Sequence, residues 1–169
     1  MTAYILLIVA VAAERLAEMV VSARHARWAF ERGGVEYGQA HFPVMVSMHA
    51  ALLAACVVEV VAADRPFLPW LGWPMLAVVL AAQTLRWWCI ATLGNQWNTR
   101  VIVVPGLPLV SAGPYRWLRH PNYLAVALEV AALPLVHTAW LTAALFTVAN
   151  AAVLSVRIRV EDRALATVR

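Results

Sequence analysis

Three runs of this 169-residue chain carry no Asp, Glu, Lys or Arg: residues 41–58, 66–85 and 130–156. A helix of about 20 apolar residues matches the ~30 Å hydrocarbon core of a bilayer. Hydrocarbon also excludes any spanning backbone that cannot satisfy its own N–H and C=O groups. The composition agrees, with 63% hydrophobic and 13% charged residues, against about 45–50% and about 25% in soluble domains. The expected class is an all-α polytopic membrane protein with about five transmembrane helices, of a length that suits one domain. The predicted segments are Ala3–Val21, Phe42–Ala63, Leu71–Leu93, a short one at Asn122–Val136, and Trp140–Val156. The last two form a helical hairpin around His137-Thr138, and the fourth is too short to be certain to cross.

Charge placement orients these segments. The chain has thirteen arginines and no lysine. Arg24, Arg27, Arg32, Arg100, Arg116, Arg119, Arg157, Arg159, Arg163 and Arg169 all fall on one side if five segments alternate, and only Arg65 falls on the other. The excess of arginine on cytoplasmic loops then puts the N-terminus outside and the C-terminus in the cytosol. Trp70, Trp73 and Trp140 stand at the opposite helix ends, where indole rings anchor at the interface. The Ala/Val/Arg-rich, lysine-free composition hints at a GC-rich bacterial genome, and the expected location is a bacterial plasma membrane. The arginines never form a basic run, so the net charge of +4 implies no nucleic-acid partner. Cys56 and Cys89 lie in apolar segments and lack metal-ligand spacing, so they read as small buried hydrophobes. The N-terminal segment has no basic region ahead of it and is interrupted by Glu14, Arg15 and Glu18, which marks a membrane helix rather than a cleaved signal. The C-terminal residues 166–169 form no lipidation box.

Polar chemistry concentrates in Gly113-Pro114-Tyr115-Arg116-Trp117-Leu118-Arg119-His120-Pro121-Asn122-Tyr123. Such a cluster beside hydrocarbon is costly and is by default a functional site. Pro121 suits the first turn of a helix, where a missing N–H costs nothing, and the helix N-terminus favours an anionic group. The alternative is a polar helix entry touching lipid headgroups. Ahead of it, Val101-Ile102-Val103-Val104 followed by Pro105-Gly106 and Pro108 reads as extended chain. The segment 24–41, with Gly33-Gly34, reads as a loop or short surface helix. Arg157 and Glu161 stand one helical turn apart beside Asp162. They form either a solvated i,i+4 pair worth a few tenths of a kcal/mol or part of the same site. Glu14, Arg15 and Glu18 read as paired charges facing the bundle. His41 and His49 read as hydrogen-bonding groups, and Trp87, Trp88 and Trp97 as packing or substrate-tunnel residues.

The Gly-x-Tyr-x-x-x-Arg-His-Pro-x-Tyr pattern, with the arginine four residues before the Glu161-Asp162 pair, resembles the isoprenylcysteine carboxyl methyltransferase family. These are integral-membrane enzymes that use S-adenosylmethionine. The resemblance covers roughly the last 75 residues. The stretches W-N-T-R-V-I-V-V-P-G and H-P-N-Y-x-x-V-x-x-E are similar to a compact bacterial branch linked to O-methylation of long-chain polyketides such as alkylpyrones and alkylresorcinols. The apolar segments put three membrane helices in residues 1–93, and the resemblance implies a cofactor-binding part in 94–169, with the cofactor pocket on the cytosolic side. Carried over position by position, the cofactor residues are Leu107, Pro108, Leu109, Val110, Tyr115, His120, Pro121, Asn122, Tyr123 and Glu161. Arg157 matches the family's substrate-carboxylate and catalytic residue, and Arg100 aligns with a glutamine that the family uses. The expected reaction is methyl transfer to an oxygen of a lipophilic, membrane-dissolved acceptor. A carboxylate nucleophile needs only orientation by an arginine, whereas a phenol, with a pKa near 10, calls for a base or a nearby cation. Glu129, about two turns into the fourth helix, is the candidate base, with partnership to Arg86 or a histidine as the alternative. Competing readings are phospholipid N-methylation, a NADPH-dependent reductase of the sterol reductase type, and a non-catalytic scaffold. The sequence leaves the oligomeric state open.

Overall fold

The computed structural model describes residues 1–166; Arg169, one of the arginines used above, lies outside them. The chain is mostly helical, with α1 at Thr2–Phe30, α2 at His41–Ala62, α3 at Pro69–Leu93, α4 at Pro121–Leu135 and α5 at Trp140–Ala166. Short 3₁₀ turns occupy Gly94–Gln96 and Gly113–Arg116. The all-α expectation needs one addition. Strand β1 (Val35–Tyr37) pairs antiparallel with β2 (Val101–Val103), joining Val35 to Val103 and Tyr37 to Val101. β2 lies where the β-branched run predicted extended chain. β1 was not expected within the 24–41 segment.

The helices differ from the apolar segments chiefly in length. α1 runs nine residues beyond Val21, and α5 ten residues beyond Val156. Apolar runs end where lipid ends, but Ala, Arg and Glu continue a helix into water without difficulty. α1 stops at the glycine pair: Gly33 takes φ +77, and the Gly34 N–H donates to the Ala29 carbonyl at 2.9 Å. A Cβ on Gly34 would sit 2.7 Å from that carbonyl oxygen.

Three helices are long and apolar enough to cross a bilayer: 41–62, 69–96 and 140–166. α1 has the length, but Glu14, Arg15 and Glu18 break its apolar stretch. α4 has 15 residues, about 22 Å of helix, short of the ~30 Å of hydrocarbon. It is sheltered instead. Tyr123, Val126, Val130 and Leu133 of α4 share one core with Tyr4 and Ile8 of α1, Leu52 and Cys56 of α2, Val79 of α3 and Leu154 of α5. The outward faces of the long helices carry Leu6, Val9, Leu16, Val58, Leu80, Leu145 and Val148, each more than half exposed. An apolar exterior on this scale belongs in lipid.

Residues 136–139 connect α4 to α5, with Thr138 at φ +54. A carboxylate borrowed from α2 caps the start of α5. Glu59 accepts the N–H groups of Leu141 at 3.2 Å and Thr142 at 2.7 Å, and pairs with Arg65 at 2.8 Å. These are orphan donors that α5 could not otherwise satisfy. Glu59→Ala is expected to lower unfolding stability by about 1–2 kcal/mol. A melting temperature in detergent equal to wild type would remove this capping role.

Candidate active site

The motif residues converge because three elements end at one place. Pro121 opens α4, as its missing N–H allows, with His120 as the preceding cap residue. That start aims Asn122 and Tyr123 at the α5 face carrying Arg157 and Glu161. The Tyr123 hydroxyl is the hub. It accepts a hydrogen bond from Arg157 Nε at 2.8 Å and donates a very short one to Glu161 Oε2. Arg157 and Glu161 thus meet through Tyr123 rather than as the direct i,i+4 pair that their spacing allows. Arg157 is 4% exposed, and its Nη1 donates to the Met45 sulfur at 3.2 Å. The His120 ring stacks on Tyr123, with centroids 5.3 Å apart. Its Nδ1 lies 3.6 Å from Glu161 Oε1 and its Nε2 lies 3.1 Å from Asp162 Oδ1. The two carboxylates favour the imidazolium, Glu161 most, and raise the His120 pKa above its ordinary value. Burial pushes the Tyr115 phenol up, and the neighbouring Cys89 and Glu161 push it further.

These side chains border a cavity of about 590 Å³ at one end of the bundle, a size suited to a ligand of nucleoside dimensions. Leu107, Leu109, Val110, Tyr115, His120, Asn122, Tyr123, Arg157 and Glu161 all line it, whereas Pro108 and Pro121 do not. The wall also includes Asn95, Gln96 and Asn98, which were not singled out as site residues, and Trp97, Arg119 and Asp162, which the sequence flagged without a cofactor role. The W-N-T-R stretch was the available signal. Ser22 of α1 bonds Asn98 at 2.8 Å and Thr99 at 2.7 Å, and His25 Nδ1 lies 2.9 Å from the Trp97 carbonyl. α1 thereby holds the segment in place. Arg100 lines the cavity but points partly outward, 3.4 Å from Glu36, and Gln96 borders the same space.

A second cavity of about 320 Å³ opens among α1, α2, α4 and α5. Leu16, Met19, Val46, Leu53, Val126 and Leu154 make it mainly apolar, with His49, Arg15, Glu18 and Arg86 along one side. Trp97, Asn122, Tyr123 and Arg157 line both cavities. Two buried polar atoms among these four, Asn122 Oδ1 and Trp97 Nε1, have no hydrogen-bond partner among the described residues, as expected where a ligand completes the bonding.

Glu129 borders neither cavity. It is 2% exposed and accepts Arg86 Nη2 at 2.5 Å, with Arg15 Nη2 at 3.4 Å. Arg15 also pairs with Glu18 at 2.9 Å and donates to Gln83 at 2.8 Å. The charges of α1 therefore do face the bundle, but their partners extend to α3 and α4. For Glu129, this geometry matches the alternative of an Arg86 partner.

The profile of the isoprenylcysteine carboxyl methyltransferase (ICMT) family matches residues 75–167. Two bacterial proteins are similar over most of their length. The Bacillus subtilis (strain 168) protein named Uncharacterized protein YpbQ is 42% identical over 161 residues, 95% of each chain. An uncharacterized protein of Haemophilus influenzae is 25% identical over 154 residues, 89% of this chain and 88% of its own. The chain belongs to the isoprenylcysteine carboxyl methyltransferase family, a family of membrane methyltransferases.

Two expectations follow from the geometry. Breaking a buried charge pair from one side typically costs about 3–5 kcal/mol. Glu129→Ala should therefore destabilise the protein on that scale. Glu129→Gln should lower the melting temperature without changing the ratio of rates on phenolic and carboxylate acceptors; a loss confined to phenols would restore the base role. The second expectation concerns His120. Its pKa is raised in the folded state, so its stabilising contribution is complete below the unfolded value of about 6.5 and disappears as pH rises through the raised value. Melting temperatures of wild type and His120→Gln should converge on the alkaline side of that window. Parallel curves across it would contradict the coupling.

Proposed function

We propose that this protein transfers a methyl group from S-adenosylmethionine to an oxygen of a lipophilic acceptor dissolved in the membrane. One observation carries the reading: a polar cavity and a mainly apolar cavity between the helices meet at Trp97, Asn122, Tyr123 and Arg157. Methyl transfer to an oil-soluble acceptor needs that arrangement, because attack on the methyl is in line and the protein's task is to align two reactants without water. When bound, the sulfonium supplies the electrophilic methyl. The chain's own residues bind and orient. Leu107, Leu109, Val110 and Tyr115 line the polar cavity together with His120 and Glu161. The unpartnered Asn122 Oδ1 offers an acceptor to a ligand donor. Arg157 stands at the junction with Nη1 on a thioether, a weak acceptor that an anionic or polarised oxygen can displace. The apolar cavity takes the acceptor's tail from the bilayer. On this reading the N-terminus is outside, and the polar cavity faces the cytosol of a bacterial plasma membrane.

Calorimetry on detergent-purified protein tests the proposal, titrating S-adenosylmethionine and S-adenosylhomocysteine with NADPH as the comparator. The expected result is saturable binding of the sulfonium compound and its product, and none of NADPH. Binding of NADPH alone would indicate a reductase. Binding of none of them by folded protein would leave a scaffold. Arg157→Ala should abolish turnover and largely preserve cofactor affinity. His120→Ala and Glu161→Ala should each weaken that affinity by about tenfold, the scale of one hydrogen bond to a charged group.

A further inference from the structure

Two of the three polar groups of Trp97 are satisfied. Its backbone N–H donates to the Gly94 carbonyl at 3.0 Å, and its carbonyl accepts His25 Nδ1 at 2.9 Å. The third is the indole Nε1, a donor only. It is buried and has no hydrogen-bond partner among the described residues. A buried donor left unpaired is costly, so it calls for a partner that the chain itself does not supply. Trp97 is 3% exposed and lines both cavities, as Asn122, Tyr123 and Arg157 do.

The position of this donor is fixed from α1. The His25 ring meets the Trp97 ring edge-on, with centroids 6.3 Å apart and planes at 87°. Ser22 Oγ donates to Asn98 Oδ1 at 2.8 Å and accepts the Thr99 N–H at 3.0 Å, and Asn98 Nδ2 donates to the Ser22 carbonyl at 3.1 Å. Packing alone could be served by any large apolar ring. A donor set in place before the reaction does more, because it needs no reorganisation when charge moves on the oxygen it binds. The two orphan atoms at the junction are also opposite in kind: Asn122 Oδ1 accepts and Trp97 Nε1 donates. The partner of Trp97 must therefore carry a lone pair. A positively charged sulfonium and its methyl offer none, whereas an attacking oxygen has more than one and uses a single one to form the new bond.

We infer that Trp97 Nε1–H donates to the reacting oxygen of the acceptor molecule, alongside Arg157, and that Ser22 is a positioning residue acting through Trp97. This rests on the methyltransferase reading above. In the transfer, a lone pair of the ionised oxygen forms the C–O bond and the C–S electron pair stays with sulfur, leaving a neutral thioether. The indole keeps its proton throughout. Its hydrogen bond holds one lone pair of the oxygen and so directs another toward the methyl. As a neutral donor it binds more weakly than a second cation, and it therefore orients the nucleophile with less loss of reactivity.

Trp97→Phe in the full-length protein keeps an aromatic ring and removes the N–H. Two readouts apply: S-adenosylhomocysteine affinity by calorimetry, and the rate of methyl transfer to palmitate and to pentadecylphenol. The expected result is near-native product affinity with a rate at least about tenfold lower on whichever probe wild type methylates faster, the scale of one hydrogen bond to a charged group. Ser22→Ala should also lower the rate and spare product affinity, which keeps the test open if Trp97→Phe does not fold. Combined with Trp97→Phe it should cost nothing further, because the two residues act as one unit. An undiminished rate in Trp97→Phe or in Ser22→Ala overturns the inference. A parallel loss of product affinity also overturns it and places the indole on the cofactor. Additive losses in the double variant remove the positioning role of Ser22. A wild type that methylates neither oxygen probe overturns the oxygen contact. In all these cases intact S-adenosylhomocysteine binding by wild type leaves the methyltransferase reading standing, and absence of that binding removes both.

Discussion

Hydrocarbon offers no hydrogen bonds, and that single fact governs this molecule. Any polar group carried below the headgroups must find its partner inside the chain. The structure meets the demand by gathering polar groups around one short helix. α4 is too brief to span, is buried among the other helices, and receives polar partners at several levels. Glu129 binds Arg86 and Arg15. Tyr4 of α1 donates to the Leu133 carbonyl at 3.1 Å. Tyr123 joins Arg157 to Glu161. The long helices then need only present lipid with apolar faces, which they do.

The same arrangement separates two kinds of charge. The Arg15, Glu18, Arg86 and Glu129 group is paired by charge across α1, α3 and α4. The Arg157, Tyr123 and Glu161 group borders the large cavity. Burial is similar in both, since Arg86 and Arg157 are each 4% exposed. What distinguishes them is the large cavity, which the second group lines and the first does not. A buried ion pair is weak support for stability but strongly resists loss of one partner, so both groups would be sensitive to mutation for different reasons.

Much of this was legible in the chain. The predicted segments locate α2 and α3 to within two residues and the start of α5 at Trp140, and the His120-Pro121 step marks the start of α4. Nine of the twelve residues singled out as cofactor-binding or catalytic border the large cavity; Pro108, Pro121 and Glu129 do not. The illegible part shares one physical character. Helix extensions beyond the lipid leave no apolar signature, so the far ends of α1 and α5 were missed. Strand β1 is three residues long and exists only because β2, some sixty residues later, pairs with it. The Ser22 knot on Asn98 and Thr99 is likewise invisible along the sequence, because neither partner is unusual where it stands. Glu129 shows the limit most clearly. Its depth announced importance, but only geometry could distinguish a base from a counter-ion.

The order of the chain has a consequence for biogenesis. The large cavity takes its floor from residues near 107, its roof from α4 and its final wall from Arg157, Glu161 and Asp162, within the last thirteen residues of the sequence. Val101 and Val103 of the ribbon pack on Ala164 of the same closing turn. During synthesis the earlier helices therefore precede the cavity, which has no complete wall until the second half of α5 is in place. A fragment that stops before those turns keeps most of the shared core and loses one wall of the chamber.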